Sequence, residues 1–238
     1  MYDSQRILAV VPARGGSKGV PKKNIQPIQG VPIVARVGHL IQQLPEIDRA
    51  VVSTDDPVIA ETAEQSGLAA PWMRPESLSG DRIGDLDVLT HALQACETAD
   101  ATRYDIVLML QPTSPMRTAA HVRQTYQTLV DENRDAVWTV SATDPKYHPR
   151  KQLEWDETTL RYHSQDGGQV IARQQLDTLY HRNGAAYAFT RDCLVEQRAI
   201  LGHNSGAVVT EDMVSIDTWF DFRLVEFLLE DRRTSQTL

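Results

Sequence analysis

Short apolar runs alternate with amphipathic stretches over the first 143 residues, and this alternation limits the possible folds more than any other feature of the sequence. Four runs have the length and composition of buried strands, at residues 7–11, 50–53, 106–110 and 136–141. Stretches with the helical spacing of apolar residues lie between them, at residues 33–44, 57–66, 85–99 and 121–130. Strands that alternate with helices form parallel sheets covered on both faces. The sequence therefore predicts an α/β fold with a doubly wound, mostly parallel sheet.

The alternation stops after residue 143. Residues 144–182 hold two prolines, two adjacent glycines and no long apolar period. Short strands are expected there around Trp155, around Tyr162 and at residues 170–171. Because a linker would hold fewer aromatic residues, this segment is interpreted as an excursion from the sheet.

The sheet is expected to resume near residue 185. Strands are predicted at residues 185–190, 208–209 and 214–216. A last helix is predicted at residues 219–229, with Asp217 or Thr218 as its N-cap. The domain prediction is therefore a core made of residues 1–143 and 183–238, with residues 144–182 inserted.

The composition restricts the class of protein. The chain has 238 residues, of which 41% are apolar and 24% charged, and its net charge of −8 argues against general nucleic-acid binding. Cys96 and Cys193 are too few for a disulfide framework or a cysteine zinc site, which favours a reducing compartment. No stretch has the ~20 apolar residues of a membrane span. We therefore expect a cytoplasmic protein with neither nucleic acid nor membrane as a partner.

A glycine-rich cationic loop follows the first predicted strand. Residues 12–24 hold Gly15, Gly16 and Gly19 together with Arg14 and three lysines. Residues 1–45 contain six cations and one acidic residue, a charge of +5, which leaves −13 for the rest of the chain. Glycines let backbone N–H groups approach phosphate oxygens, and Lys and Arg add charge-assisted hydrogen bonds of about 1.5–3 kcal/mol each. The loop therefore predicts a bound polyanion.

The spacing of these glycines fits neither common phosphate-loop motif. The string lacks the G-x-x-x-x-G-K-[ST] pattern of Walker A and the G-x-G-x-x-G pattern of dinucleotide-binding folds. From the loop alone, a solvated basic turn stays open as the alternative. Lys22 is interpreted as a surface lysine, and for Lys18 both interpretations stay open.

Five segments carry a closer resemblance when they are taken in order. They are VPARGGSKGVPKKN at 11–24, RPESL at 74–78, LQPTSPMR at 110–117, NGAAY at 183–187 and IDTWFD at 216–221. Together they resemble the acylneuraminate cytidylyltransferase family, whose members make CMP-activated sugar acids from CTP. The resemblance spans nearly the whole chain. It implies a three-layer α/β/α, Rossmann-like nucleotidyltransferase sheet, with residues 144–182 as a small dimerisation excursion and the chain as a homodimer.

The implied reaction is attack by the anomeric hydroxyl of the acid on the α-phosphorus of CTP, with release of pyrophosphate. Positioning and charge stabilisation carry the catalysis of such a transfer. Arg14 and Lys23 are the main candidates for holding the triphosphate, and Asp217 is the third predicted catalytic residue. The predicted nucleotide contacts are Ala13, Gly15, Gly16, Ser17, Asn24, Arg74, Asp85 and Gln111. For Asp85 a helix N-cap, and for Gln111 an amide closing a turn, stay open as alternatives.

Mg²⁺ is the implied cofactor, because it bridges phosphate oxygens and is held by carboxylates. Asp217 is the best candidate ligand, and Asp221, one helical turn later, is a second that would act through water. For Asp221 the alternative is an acid in the first turn of a helix, favoured by the helix dipole. Sialic acid members of the family commonly have a further Asp where this chain has Ser215. The predicted metal site is therefore weaker than theirs, or differently shaped.

The acceptor side matches the family least well. Arg173 lies in a segment, RQQL, that resembles the family's source of an arginine for the sugar carboxylate, a group that Arg binds with two parallel hydrogen bonds. The family's Arg-Pro-Asn-Gly is replaced by residues 181–184, HRNG, so that the cation has moved by one position. The predicted contacts of a small anionic acceptor are Gln111, Arg173, Arg182 and Asn183.

These observations predict a Mg²⁺-dependent enzyme that transfers CMP from CTP to a sialic-acid-like nonulosonate. An enzyme that acts on an eight-carbon keto-deoxy acid or a phosphonate would need the same CTP-binding residues. Ser215 and Arg182 keep that alternative open. A non-catalytic CTP-binding protein is a further alternative, against which Arg14, Lys23 and Asp217 argue. A sugar-1-phosphate nucleotidyltransferase is disfavoured, because its usual Gly-rich, Arg-Leu, Pro-Leu run is missing.

Overall fold

A six-stranded sheet forms the middle layer of the protein, which is described here from a computed structural model over residues 1–235. The strands along the chain are β1 (Ile7–Pro12), β2 (Pro27–Ile28), β3 (Val31–Pro32), β4 (Arg49–Ser53), β5 (Ile106–Met109), β6 (Ala136–Ala142), β7 (Leu153–Trp155), β8 (Leu160–Tyr162), β9 (Tyr180–Thr190) and β10 (Ser205–Thr210). The sheet has the order β10-β6-β9-β5-β1-β4. Strand β9 is antiparallel to both neighbours, and the other three pairings are parallel. The prediction of a mostly parallel sheet is confirmed.

Helices cover both faces of this sheet. They are α1 (Ile33–Ile41), α2 (Pro57–Glu64), α3 (Asp85–Asp100), α4 (Ala119–Asp131), α5 (Arg191–Val195) and α6 (Trp219–Ser235). Along β1, Ile7, Ala9 and Val11 belong to the apolar cluster of α1, α2 and α4. Leu8 and Val10 belong to the cluster of α3 and α5 on the opposite face. Because both faces are buried, as in parallel sheets generally, the predicted three-layer α/β/α fold is confirmed.

A third apolar cluster attaches α6 to the loop that follows β1. Phe222 and Val225 of α6 pack with Val20 of this loop and with Ile216, which precedes the helix. The Ile216 N–H also donates to the carbonyl of Thr113 at 2.8 Å. Three segments far apart in sequence therefore meet at one edge of the sheet.

Two predicted strands do not form in the described residues. Residues 214–216 are irregular, because the apolar Ile216 is buried in the α6 cluster instead of pairing in the sheet. Residues 170–171 are also irregular, and Ile171 is 92% exposed. The strands expected around Trp155 and Tyr162 do form, as the β7–β8 hairpin. None of the helices within residues 1–235 is long and apolar enough to cross a membrane.

Strand β9 begins five residues earlier than the strand predicted at 185–190. Its first part pairs with β6, with Arg182 opposite Val140. The polar residues there hide the strand from pattern analysis, because no alternation of apolar residues marks it. Residues 144–179 lie outside the six-stranded sheet. Their role in dimerisation stays a prediction.

The ends of three parallel strands create a crevice. Strand β1 lies between β4 and β5 and is parallel to both, so the three carboxyl ends share one edge. The chain leaves β1 and β5 in different directions, and ligands of open α/β sheets bind where such connections diverge. Since β9 runs the opposite way, its residues 183–184 reach this same edge.

Candidate active site

A cleft of about 540 Å³ opens at this edge of the sheet. Its walls come from the loop after β1, the segments before α3 and α6, and the loop after β5. Eight of the residues singled out from the sequence line it, namely Arg14, Ser17, Lys23, Asn24, Arg74, Asp85, Gln111 and Asp217. The fold therefore brings most of the predicted nucleotide contacts together from four separate segments.

The first residues of the loop are bonded to the end of β4. The Ala13 N–H donates to the Ser53 carbonyl at 2.9 Å, and the Gly15 N–H donates to Oδ1 of Asp55 at 2.8 Å. Ala13 is fully buried. Neither Ala13 nor the pair Gly15–Gly16 lines the cleft. A phosphate contact from the Gly15 N–H would therefore have to replace its bond to Asp55.

Two cations of the loop share one carboxylate across the cleft. Nη1 of Arg14 lies 2.8 Å from Oδ1 of Asp81, and Nζ of Lys18 contacts the other oxygen. Hydrogen bonds from Lys18 and then Arg14 hold the pKa of Asp81 below its usual value. The sequence analysis missed Asp81, because nothing distinguishes one acid in a polar segment from its neighbours. A carboxylate thus occupies the space between these two cations in the cleft.

Lys23 is held much more firmly than the other lysines of the loop. Its Nζ donates to the Ile216 carbonyl at 2.7 Å and to Oδ1 of Asp217 at 2.8 Å. Its side chain is 15% exposed, compared with 82% for Lys18. Lys22 is exposed, which confirms that it is a surface lysine. The apolar cluster around α6 thus fixes one ammonium group in the cleft wall.

Arg74 is pinned by the end of β4. It is 6% exposed, its Nε donates to Oγ of Ser53 at 3.0 Å, and its Nη2 donates to the Ser53 carbonyl. Burial lowers the pKa of Arg74. On the same wall, Nδ2 of Asn24 donates to the Arg14 carbonyl at 2.9 Å and so braces the loop. The guanidinium of Arg74 is therefore pre-positioned where it lines the cleft.

The loop after β5 is clamped to the start of β9. Nη2 of Arg117 donates to the carbonyls of Gln111 and, at 3.2 Å, of Gly184. Oγ of Ser114 donates to the Asn183 carbonyl at 3.0 Å. Burial lowers the pKa of Arg117 to about 9, so it stays protonated at neutral pH. Arg117 is a positioning residue for Gln111 that the sequence analysis missed, although it closes the LQPTSPMR segment.

Asp85 and Arg182 meet at the rim of the cleft. Asp85 is the first residue of α3, whose N-cap is Gly84 and has no side-chain capping bond. The alternative of Asp85 as an N-cap is therefore wrong. Nη1 of Arg182 lies 3.8 Å from Oδ2 of Asp85. Arg182, the cation that has moved by one position relative to the family, thus faces the cleft rim and has Asp85 as its partner.

Two predicted acceptor contacts lie outside this cleft. Asn183 is 3% exposed, and its Nδ2 donates to Oγ of Ser141 at 2.9 Å and to Oγ1 of Thr210 at 2.8 Å. Its Oδ1 accepts from the Ala185 N–H at 3.1 Å, so the amide joins β6, β9 and β10 instead of facing a ligand. Arg173 is exposed in the 144–182 excursion and does not line the cleft. The structure of one chain therefore does not bring either residue to the site.

The two predicted metal ligands have different surroundings. The side chain of Asp217 is 78% exposed on the cleft wall, and one of its oxygens pairs with Lys23. Oδ2 of Asp221 accepts from the Thr218 N–H at 2.7 Å, while the Asp221 N–H donates to Oγ1 of Thr218 at 3.3 Å. This reciprocal pair is a capping box, with Thr218 as the N-cap of α6. Burial raises the pKa of Asp221, but hydrogen bonds from Asp217 and Thr218 outweigh it, so this pKa is lowered.

The fold and the cleft together define an α/β protein with a cleft, lined by four cationic side chains, at the carboxyl ends of its parallel strands. A solved CMP:2-keto-3-deoxy-manno-octonic acid synthetase, complexed with CTP, matches with a TM-score of 0.71 over 96% of this chain and 100% of that one, at 20% identity. A 4-diphosphocytidyl-2C-methyl-D-erythritol synthase from Anaerococcus prevotii matches with a TM-score of 0.64 over the same shares, at 15% identity. At these identities the likeness shows the fold alone.

A sequence model of one family, described as Cytidylyltransferase, matches residues 8–216. The chain belongs to this family, as the five ordered segments indicated, and is a CTP-dependent nucleotidyltransferase. It is 28% identical to a CMP-N,N'-diacetyllegionaminic acid synthase of Legionella pneumophila, over 94% of this chain and 97% of that protein. It is also 28% identical to a pseudaminic acid cytidylyltransferase of Campylobacter jejuni, over 93% and 95%. An N-acylneuraminate cytidylyltransferase of Escherichia coli is 29% identical over 92% of this chain and 51% of that protein.

Proposed function

We propose that this enzyme transfers CMP from CTP to a nonulosonate, a nine-carbon 2-keto-3-deoxy sugar acid, and releases pyrophosphate. The observation that carries the proposal is the cleft beyond β1 and β5, in which three cations of one loop face the carboxylates of Asp81 and Asp217. A triphosphate can replace the carboxylate of Asp81 between Arg14 and Lys18. The relatives named for legionaminic and pseudaminic acids match over nearly their whole length, which supports this class of acceptor.

Each wall of the cleft has a separate task in this proposal. Arg14 and Lys18 bind the outer phosphates, and the fixed ammonium of Lys23 stabilises the charge that develops on the departing pyrophosphate. Arg74 and Gln111 contact the cytidine, since their donors and acceptors complement the base and the ribose. The clamp from Arg117 to the Gln111 carbonyl keeps that wall rigid.

Mg²⁺ is proposed to enter with CTP. No group of three His, Cys, Asp or Glu side chains that could hold a metal occurs within residues 1–235. Asp217, with one carboxylate oxygen free of hydrogen bonds to the described residues, fits Mg²⁺, which usually takes one or two protein carboxylates together with substrate phosphates. Oδ2 of Asp221 is used in the capping box, so Asp221 contributes at most through its other oxygen or water. When bound, the ion neutralises phosphate charge.

The acceptor is proposed to enter at the rim, where Arg182 pairs loosely with Asp85. Arg173, which does not line the cleft, is proposed to reach this rim from a second chain, and the excursion has the apolar surface that a homodimer needs. Eight large hydrophobic residues between positions 147 and 180 are exposed, among them Trp155 at 62% and Ile171 at 92%. Clusters of exposed apolar residues mark interaction surfaces. The buried, unpaired Cys96 and Cys193 further support a cytoplasmic enzyme.

The test of the proposal is pyrophosphate release from CTP and Mg²⁺ against a panel of acceptors. The panel comprises N-acetylneuraminate, keto-deoxynonulosonate, legionaminate, pseudaminate, keto-deoxyoctulosonate and an aminoalkylphosphonate. Release with one nonulosonate supports the proposal and names the acceptor. Release with the octulosonate or the phosphonate alone supports CTP as the donor but shows that the acceptor is not a nonulosonate. CTP binding without release from any member contradicts the proposal.

Asp81→Asn is expected to tighten CTP binding about two- to fivefold, because it removes a carboxylate that competes with phosphate for exposed cations. The measurement is the Kd of CTP by calorimetry, without acceptor. Asp87→Asn is the matched control, since it makes the same change of charge at a nearby acid, in the first turn of α3, that does not line the cleft. Weaker binding in Asp81→Asn would mean that Asp81 holds the cations in place for the nucleotide.

Arg173→Ala is expected to raise the KM for the acceptor several-fold and to leave the KM for CTP unchanged, because a guanidinium recognises the sugar carboxylate. Arg182→Ala is the direct comparison, since Arg182 already faces the cleft rim within one chain. Steady-state kinetics with each substrate varied in turn separate the two effects. If CTP binding falls in Arg173→Ala, its assignment to the acceptor side is wrong.

A further inference from the structure

A second cavity, of about 200 Å³, lies between α1 and the loop that follows β5. Arg36, His39 and Gln43 of the α1 region line one side, and Arg117 lines the other. Aliphatic residues and a proline complete its walls, and no acidic residue lines it in the part of the chain that the structure describes. It shares no lining residue with the larger cleft.

The two arginines of this cavity carry charge that no carboxylate balances. Nη2 of Arg36 donates to the Ile28 carbonyl at 2.5 Å, and Nη2 of Arg117 donates to two backbone carbonyls. Neither residue forms an ion pair within residues 1–235, and Nε of each is buried without a hydrogen-bond partner. Glu226 acts on Arg36 only through space. Arg117 is 8% exposed, so its charge is almost wholly removed from bulk water.

Buried charges in proteins are normally paired, because an isolated ion in a low-dielectric interior is costly. Guanidinium groups pair best with planar or tetrahedral oxyanions, which accept two parallel hydrogen bonds. The volume suits an ion of a few heavy atoms and is well below that of the nucleotide cleft. We propose that this cavity binds a small oxyanion, a phosphate or a carboxylate group, between Arg36 and Arg117.

The position of the cavity couples anion binding to the active site. Arg117 connects the cavity to the Gln111 carbonyl, and Gln111 lines the cleft. An anion beside Arg117 balances the charge of the guanidinium that holds this wall and shifts its position. The site is therefore an effector site for small anions, whose occupancy alters the affinity for CTP. This coupling depends on the proposed contact of Gln111 with cytidine, but anion binding itself does not.

The experiment measures the binding of inorganic phosphate to protein that is already saturated with CTP and lacks an acceptor. CTP occupies the larger cleft, and sodium chloride at matched ionic strength accounts for general salt effects. Arg36→Gln is expected to weaken phosphate binding about tenfold or more, since one charge-assisted hydrogen bond is lost. Gln43→Glu, at an exposed position, is expected to do the same by placing a resident carboxylate in the cavity. Acetate in place of phosphate distinguishes a carboxylate ligand from a phosphate ligand.

Arg103→Gln is the matched control, because it removes an exposed arginine that lines neither cavity and should bind phosphate like the wild type. Saturable binding that is lost in Arg36→Gln and Gln43→Glu, with unchanged CTP affinity in phosphate-free buffer, supports the site. The proposal is overturned if CTP-saturated wild type binds neither phosphate nor acetate above chloride. It is equally overturned if Arg36→Gln binds them as tightly as the wild type.

Discussion

Lys23→Ala is expected to lower kcat by about 10²–10³-fold, the effect of removing one pre-positioned group that stabilises developing charge. The ammonium is fixed by the Ile216 carbonyl and by Asp217, so it does not have to be ordered when pyrophosphate departs. A group that is equally well placed before and during the reaction lowers the barrier without a cost of reorganisation. The measurement is pyrophosphate release at saturating CTP, with the acceptor that the panel identifies.

Lys22→Ala is the matched control for this variant. Lys22 precedes Lys23 directly, is exposed, and has a left-handed backbone with φ of 51°. Alanine and lysine both carry a Cβ, so the substitution adds no backbone strain while removing the same charge. We expect Lys22→Ala to change kcat less than about threefold, as is usual for an exposed charge. A similar loss in both variants would show that the net charge of the loop matters, and not the position of Lys23.

The fold could be predicted from the sequence because the spacing of apolar residues and the length of apolar runs mark buried strands and amphipathic helices. The first strand and helix α3 were predicted almost to the residue, since their apolar positions satisfy the corresponding period. Strand β9 was predicted at only its apolar end. Its polar start pairs with β6 through backbone hydrogen bonds, and such pairing leaves no pattern in the side chains of the sequence.

The site could be predicted in part, because its residues lie in segments that resemble a known family. Arg14, Lys23 and Asp217 belong to ordered segments with a family resemblance, and the fold does place them along one cleft. Asn183 was predicted to contact the acceptor, but its amide donates to Ser141 and Thr210, and only the tertiary structure creates these contacts. Asp81 was missed because nothing in the sequence distinguishes it from other acids, and Arg117 because one of its partners, the Gly184 carbonyl, is distant in sequence.

Gly184→Ala is expected to destabilise the protein by about 3 kcal/mol, through backbone strain of about 1–2 kcal/mol and overpacking of about 1–3 kcal/mol. Gly184 has φ of +74°, and a Cβ there would lie 2.9 Å from Oε1 of Gln111 and closer still to Oγ of Ser114. The displacement would fall on Ser114 and on the Gln111 side chain in the cleft wall. We therefore expect a higher KM for CTP as well as a lower free energy of unfolding, measured by denaturant titration.

Gly30→Ala separates these two causes, because Gly30 has nearly the same backbone angle, φ of +79°, with no atom within 4 Å of an added Cβ. This control should lose only the strain of about 1–2 kcal/mol and retain the KM for CTP, since the backbone angle alone does not reach the cleft. Equal losses of stability in the two variants would show that the loop after β5 moves aside freely. A normal KM for CTP in Gly184→Ala would then show that the start of β9 does not constrain the nucleotide wall sterically. The positive φ would be the remaining reason for a glycine in the NGAAY segment.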